Sequence, residues 1–237
     1  MTPEQQQWLD ADEQARLARL RRPHSQQCFL ASRLLMRHIL AEALDTHPAQ
    51  VPLQREQSGK PFVAGATLAF NLSHSGPWLA LALAPEGSLG VDIEVPQKPR
   101  PLLSIAQQYF HPQEVEHLQQ LPEAAQTQVF YRYWTLKEAY FKARGTGISA
   151  GLGKLHLAAD KPQILARDPA LGDSHSWQLH YWHNPLGLDP RCHLALVADS
   201  GAGQVELVSL LASNCSSSQP LSSPRPPPRK RRGGDKN

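Results

Sequence analysis

Cysteine is scarce and badly spaced for chemistry: Cys28, Cys192 and Cys215 are the only three in 237 residues, and no two form a CxxC pair. That excludes a disulfide framework or a thiolate zinc site as an expectation and leaves reduced, incidental thiols. Long apolar runs are missing too. No uninterrupted stretch approaches the ~20 residues of a membrane-spanning helix, and Met1-Thr2-Pro3-Glu4-Gln5-Gln6 lacks signal-peptide character. No membrane role is expected, and the cytoplasm is the default location. Excess charge is also absent from most of the chain. The formal net charge is +3, but six basic residues (Arg225, Arg229, Lys230, Arg231, Arg232, Lys236) against Asp235 put +5 into residues 214–237 and leave −2 for the rest. The basic balance therefore belongs to the tail, not to a nucleic-acid-binding body.

What is present is an ordinary globular composition, 41% hydrophobic, enough for one large domain or two small ones. Across 10–44, Leu17 and Leu20 lie three apart, and Phe29, Leu30, Leu34, Leu35, Ile39 and Leu40 recur at helix spacing. Pro23 divides this stretch into two helices. The arginines along it, including Arg16, Arg22, Arg33 and Arg37, read mainly as solvated faces. Gln57-Ser58-Gly59-Lys60-Pro61 is a turn by composition. Strands are expected at 68–72, 78–84 and 89–95, and a proline-rich connector, 96–101, marks a boundary. Beyond it the pattern predicts helices over 102–110, 113–120 and 123–144, then strands at 154–158, 177–182 and 193–198. Helices followed by antiparallel-type strands, twice over, argue α+β with two similar lobes, 1–96 and 97–213. The Ser/Pro/Arg-rich segment 214–237 cannot bury enough apolar surface to fold and is expected to be disordered.

Three short segments offer chemistry. In Gly90-Val91-Asp92-Ile93-Glu94, alternation on a strand sends Asp92 and Glu94 to one face with Cα atoms about 6.5–7 Å apart. Two carboxylates so placed can share a hard cation, although an isolated Asp-x-Glu is also a common solvated face. On the long helix Glu138 and Lys142 stand at i, i+4, beside a buried stripe of Val129, Tyr133, Leu136 and Tyr140. On spacing alone, an ordinary helix ion pair is the preferred account. Gly145-Thr146-Gly147 suits a left-handed cap. Phe70-Asn71-Leu72-Ser73-His74-Ser75-Gly76 sets hydroxyls and an imidazole just past a strand, where they could meet phosphate oxygens or merely form a polar turn. A Ser-His hydrolase finds no support, since no GxSxG occurs. Lys60, between Gly59 and Pro61, is a further phosphate candidate. The remaining histidines, His180, His183 and His193 among them, lack metal spacing and read as structural.

Taken in order, Gly59-Lys60-Pro61, Phe70 through Ser75, Gly90 through Glu94 and Trp134 through Gly147 resemble the signature of the 4′-phosphopantetheinyl transferases of the Sfp type, over about 10–198. The resemblance implies a monomer of two pseudo-twofold-related α+β lobes with the active site at their junction. It implies transfer of the phosphopantetheine arm of coenzyme A to a serine of an apo acyl- or peptidyl-carrier protein, an acidic helical domain, with release of adenosine 3′,5′-bisphosphate. By matching positions it implies Asp92, Glu94 and Glu138 as Mg2+ ligands, Lys142 as the cation beside the scissile phosphate, and Glu138 as base for the carrier serine. Lys60, Ser73 and His74 would meet the coenzyme, with Arg16, Arg22 and Arg55 as candidates for its 3′-phosphate. Members of this type usually begin with a strand, whereas this chain starts almost at the first helix, so the first lobe is expected to lack it. Two rivals remain: a degenerate, non-catalytic protein that binds carrier or nucleotide, and nucleic-acid binding through the basic tail.

Overall fold

In a computed structural model, the residues described are 5, 7–56, 59–148, 151–172, 176–199, 201 and 203–209. The chain divides into two compact units, Met1–Gln204 and Val205–Asn237. In the second, the described residues 205–209 carry no helix or strand. The expected disordered tail, 214–237, lies outside the described residues, as do Gln57 and Ser58 of the expected turn.

The first unit opens with helix α1 (Ala11–Arg19), held at its N-terminus by a capping box in which Asp10 and Glu13 bond reciprocally to each other's backbone N–H. Pro23 is the first residue of α2 (Pro23–Leu44), where its fixed φ and missing N–H are tolerated. The two helices seen in the sequence are therefore separate, with proline starting the second. Arg37 belongs to the interior and not to a solvated face: its guanidinium is buried against Glu13 and Asp10 and donates to the carbonyls of Pro48 and Val51.

A hairpin of β1 (Leu53–Arg55) and β2 (Pro61–Val63) follows, two strands too short to stand out as a pattern. Its turn bonds Glu56 N–H to Lys60 O, with Gly59 at positive φ. Next come β3 (Ala69–Ser75) and β4 (Trp78–Ala84), antiparallel and joined at Gly76-Pro77. Here the expected strand end was wrong. Ser73, His74 and Ser75 lie within β3, because Gly76, at φ 58°, is where the chain turns. With Met36, Leu40, Val51, Val63 and Phe70, these elements form one hydrophobic cluster.

The second cluster surrounds α5 (Glu123–Arg144), preceded by α3 (Leu102–Tyr109) and α4 (Pro112–Gln120). It packs on an antiparallel sheet in the order β5 (Leu89–Glu94), β9 (His193–Asp199), β8 (Trp177–His183). A small hairpin, β6 (Leu155–Leu157) with β7 (Ile164–Arg167), completes the α+β fold. The expected stripe on α5 is too narrow, and Val129 within it is only half-buried. Phe130, Tyr131, Thr135, Lys137, Ala139, Phe141 and Ala143 are buried as well, since α3, α4 and the sheet all pack on this helix. Gly145, at φ 73°, ends it in the left-handed conformation, as its sequence predicts.

Candidate functional site

Gly90 decides how closely β5 approaches α5. A Cβ there would lie 2.1 Å from the carbonyl oxygen of Ala139 and 2.3 Å from the amide nitrogen of Ala143. Both are backbone atoms, so only glycine allows the approach. It brings the Asp92 side of β5 against the Glu138 and Lys142 turn of the helix.

There, Lys142 Nζ lies 2.6 Å from Asp92 Oδ1, 3.0 Å from Ser73 Oγ and 3.8 Å from Glu138 Oε2. Ser73 donates to Asp92 Oδ1 at 2.9 Å, and Ser75 donates to Glu94 Oε2 at 3.4 Å. Asp92 is only 3% exposed, and its other oxygen, Oδ2, is buried with no hydrogen-bond partner among the described residues. Burial pushes the Asp92 carboxyl above the usual carboxylate range, against the opposing pull of Lys142 and Ser73. Burial also raises Glu94, and the Asp92 charge adds to it. Glu138 rises from 4.5 to about 7, first through burial, then through the Asp92 charge, with Lys142 pulling the other way. Among the described residues the buried Trp134 indole N–H has no hydrogen bond of ordinary geometry, yet it lies close enough to favour the charged forms of Glu94 and Glu138.

The three carboxylates thus meet in one poorly hydrated region with one ammonium among them. Among the described residues no group of three or more His, Cys, Asp or Glu side chains stands in a metal-holding arrangement. Lys142 supplies the positive charge beside Asp92.

The other sequence candidates are placed less closely. Lys60 Nζ donates to the backbone carbonyl of Lys142 at 3.3 Å, which sets it beside this end of α5, and burial lowers its pKa. His74 is exposed on β3. Ser73 is buried, its hydroxyl committed to Asp92, Lys142 and the Ile93 amide. Arg55 donates to Gly59 O, and Arg16 lies over the Phe29 ring, 5.5 Å from its centroid. Both act electrostatically on Arg33, whose guanidinium also covers Phe29 and whose pKa is lowered mainly by burial. Arg22 precedes α2 as its N-cap and makes no side-chain cap bond.

Sequence reasoning missed Trp134 as a site residue and missed what Asn71 and Ser75 do. The alternation of small polar residues along 71–75 was the available signal. It also left Lys137 unremarked, although this lysine is fully buried, 2.8 Å from Glu114 Oε2, and donates to the carbonyls of Leu152 and Leu155.

Comparison with known proteins shows two family matches. The 4′-phosphopantetheinyl transferase superfamily matches residues 88–197, and the N-terminal region of a 4′-phosphopantetheinyl transferase matches 3–86. A Synechocystis sp. protein provisionally named a 4′-phosphopantetheinyl transferase is 38% identical over 187 residues, covering 76% of this chain and 74% of its own. The 4′-phosphopantetheinyl transferase HetI of Nostoc sp. is 36% identical over 82% of this chain and 80% of its own. A phosphopantetheinyl transferase of Thraustochytrium sp. is 36% identical over 67% and 60%.

Proposed function

The chain belongs to the 4′-phosphopantetheinyl transferase superfamily, and from that membership we propose that it uses Mg2+ and coenzyme A to modify a serine of an apo acyl- or peptidyl-carrier protein, releasing adenosine 3′,5′-bisphosphate. Phosphopantetheinyl transfer itself follows from the family. The donor, the metal and the second product are the parts proposed.

The observation that carries the metal reading is Asp92 Oδ2, a buried carboxylate oxygen without a partner among the described residues, beside two carboxylates whose pKa values burial and the Asp92 charge raise. Such a group invites a cation, and carboxylate oxygens are the donors Mg2+ takes. The donor chemistry fits: Asp92, Glu94 and Glu138 would hold the ion once drawn closer together than they stand here. Bound there, it would supply neutralising charge to the pyrophosphate.

The chain's own groups do the rest. Lys142, at the Asp92 edge of the cluster, is set to offset charge developing on the transferred phosphoryl group. Lys60, carried to the same end of α5, would anchor a neighbouring phosphate. Glu138, on the same helix face as Lys142, is the carboxylate placed to take the proton of the carrier serine. The serine oxygen then bonds to the phosphopantetheine phosphorus as the bridging P–O bond breaks, and the bisphosphate leaves with the electron pair. Asp92 and Ser73 keep the Lys142 ammonium fixed during this exchange. His74, Arg55, Arg16 and Arg22 remain candidates for the coenzyme's phosphates.

The family matches meet between residues 86 and 88, and each hydrophobic cluster is drawn mainly from one side of that point. This supports two lobes divided near 96. The same reading takes the protein as a cytoplasmic monomer. Incubation with coenzyme A, Mg2+ and an apo carrier, followed by intact-mass spectrometry of the carrier, should show a gain of one phosphopantetheine that EDTA abolishes. A gain that persists in EDTA would overturn the metal assignment. No gain across acyl and peptidyl carriers, from folded protein, would overturn the activity proposed.

A further inference from the structure

Among the described residues, the edge of β5 away from β9 has no strand paired to it, yet its inward amides are satisfied. Asn71 Oδ1 accepts from Val91 N–H at 2.9 Å, Ser73 Oγ from Ile93 N–H at 3.4 Å, and Ser75 Oγ from Val95 N–H at 2.9 Å. The offset is twenty residues each time, so β3 runs alongside β5 in the same direction. It meets that edge with one of its faces, presenting alternate side chains where a sheet would present backbone carbonyls.

The acceptors differ in a regular way. Each serine also has one hydroxyl proton to give, and gives it to the carboxylate just before the amide it caps: Ser73 to Asp92, Ser75 to Glu94. Asn71 caps Val91, and the residue before Val91 is Gly90, which has no side chain to orient. A hydroxyl thus occurs where a carboxylate must be held, and an amide where none exists.

From this pattern we propose that Ser75 is a positioning residue: through one hydroxyl it couples the Val95 amide to the Glu94 carboxylate and so aims Glu94 as a ligand for the divalent cation. Asn71 only closes the strand edge. The inference rests on the metal reading above. It gives the serines of β3 a task other than contact with the nucleotide.

The test measures Mn2+ affinity of the full chain, by electron paramagnetic resonance titration with adenosine 3′,5′-bisphosphate present, alongside thermal melting in EDTA. Asn71→Ala and Ser75→Ala each delete one amide cap and should lower the melting temperature by similar amounts. Only Ser75→Ala should weaken Mn2+ binding, by ~10-fold, the lower end of what loss of a partner that orients a metal ligand costs. Ser75→Thr, which keeps the hydroxyl, should restore it. Equal Mn2+ affinity in wild type and Ser75→Ala would overturn the positioning role while leaving the metal reading intact. Equal weakening in Asn71→Ala, or no restoration by threonine, would also overturn it. Wild type that binds no Mn2+ would overturn both readings.

Discussion

Glu138 sits where a carboxylate is costly to ionise. Its pKa in the folded chain, about 7, lies above the ordinary 4.5, so the folded state holds this proton more tightly than the unfolded state does. The contribution of Glu138 to stability without metal must then fall as pH rises from about 4.5 to 7, with its penalty fully present above that window. In EDTA at pH 8, Glu138→Gln should melt higher than wild type, and the gap should close toward pH 4.5. The same variant should lose carrier modification while still binding coenzyme A, which calorimetry and the mass assay separate. Full transfer activity would remove Glu138 from the mechanism. The residue types here were legible from sequence: Asp92, Glu94, Glu138 and Lys142 do converge. Their coupling was not, because a pKa is set by burial and by charges on other elements. His193 is a comparable case. It is stacked on Tyr131 with its Nδ1 2.8 Å from the Tyr181 hydroxyl, and burial pushes its pKa down to about 4.

At the scale of elements, the close approach of β5 to α5 depends on a missing side chain. Gly90→Ala would place a methyl against the backbone of Ala139 and Ala143, and neither can retreat without moving the helix. A loss of about 3 kcal/mol is expected in urea unfolding, the upper part of the usual overpacking cost. Carrier modification should fall further than stability explains, since the carboxylates separate from Lys142. The buried Lys137–Glu114 pair joins α5 to α4 and, through the carbonyls of Leu152 and Leu155, to the segment entering β6. Glu114 also accepts from the amides of Leu157 and His111. Lys137→Met leaves a buried carboxylate without its partner and should cost ~3–5 kcal/mol. The double variant Lys137→Met, Glu114→Gln should recover much of that, because the amide still accepts one backbone bond and carries no charge. If the double variant is no more stable than the single, the pair is not the cause. Lys137 escaped sequence reading because helix periodicity shows which side is apolar, not whether neighbours cover the opposite side.

For the molecule as a whole, the family matches end at residue 197 and the candidate site draws on nothing beyond Lys142. A chain ended after residue 209 should therefore modify a carrier at the full-length rate, read by the same mass assay. A large loss would give the basic tail a part in carrier capture, and the effect would then weaken with salt. Sequence alone settled the existence and order of the long elements. Periodicity, Pro23 and Gly145 mark the ends of α2 and α5 to within a residue, because helix starts and stops are local backbone chemistry. It also named the carboxylates and Lys142, since residue type and spacing survive folding. Tertiary structure alone decided that the serines of β3 turn toward β5 and not toward solvent, and that α5 is buried on nearly every side between Phe130 and Ala143. Those facts arise from contacts between residues fifteen or more positions apart, where the covering surface comes from elsewhere in the chain and leaves no mark on the local pattern.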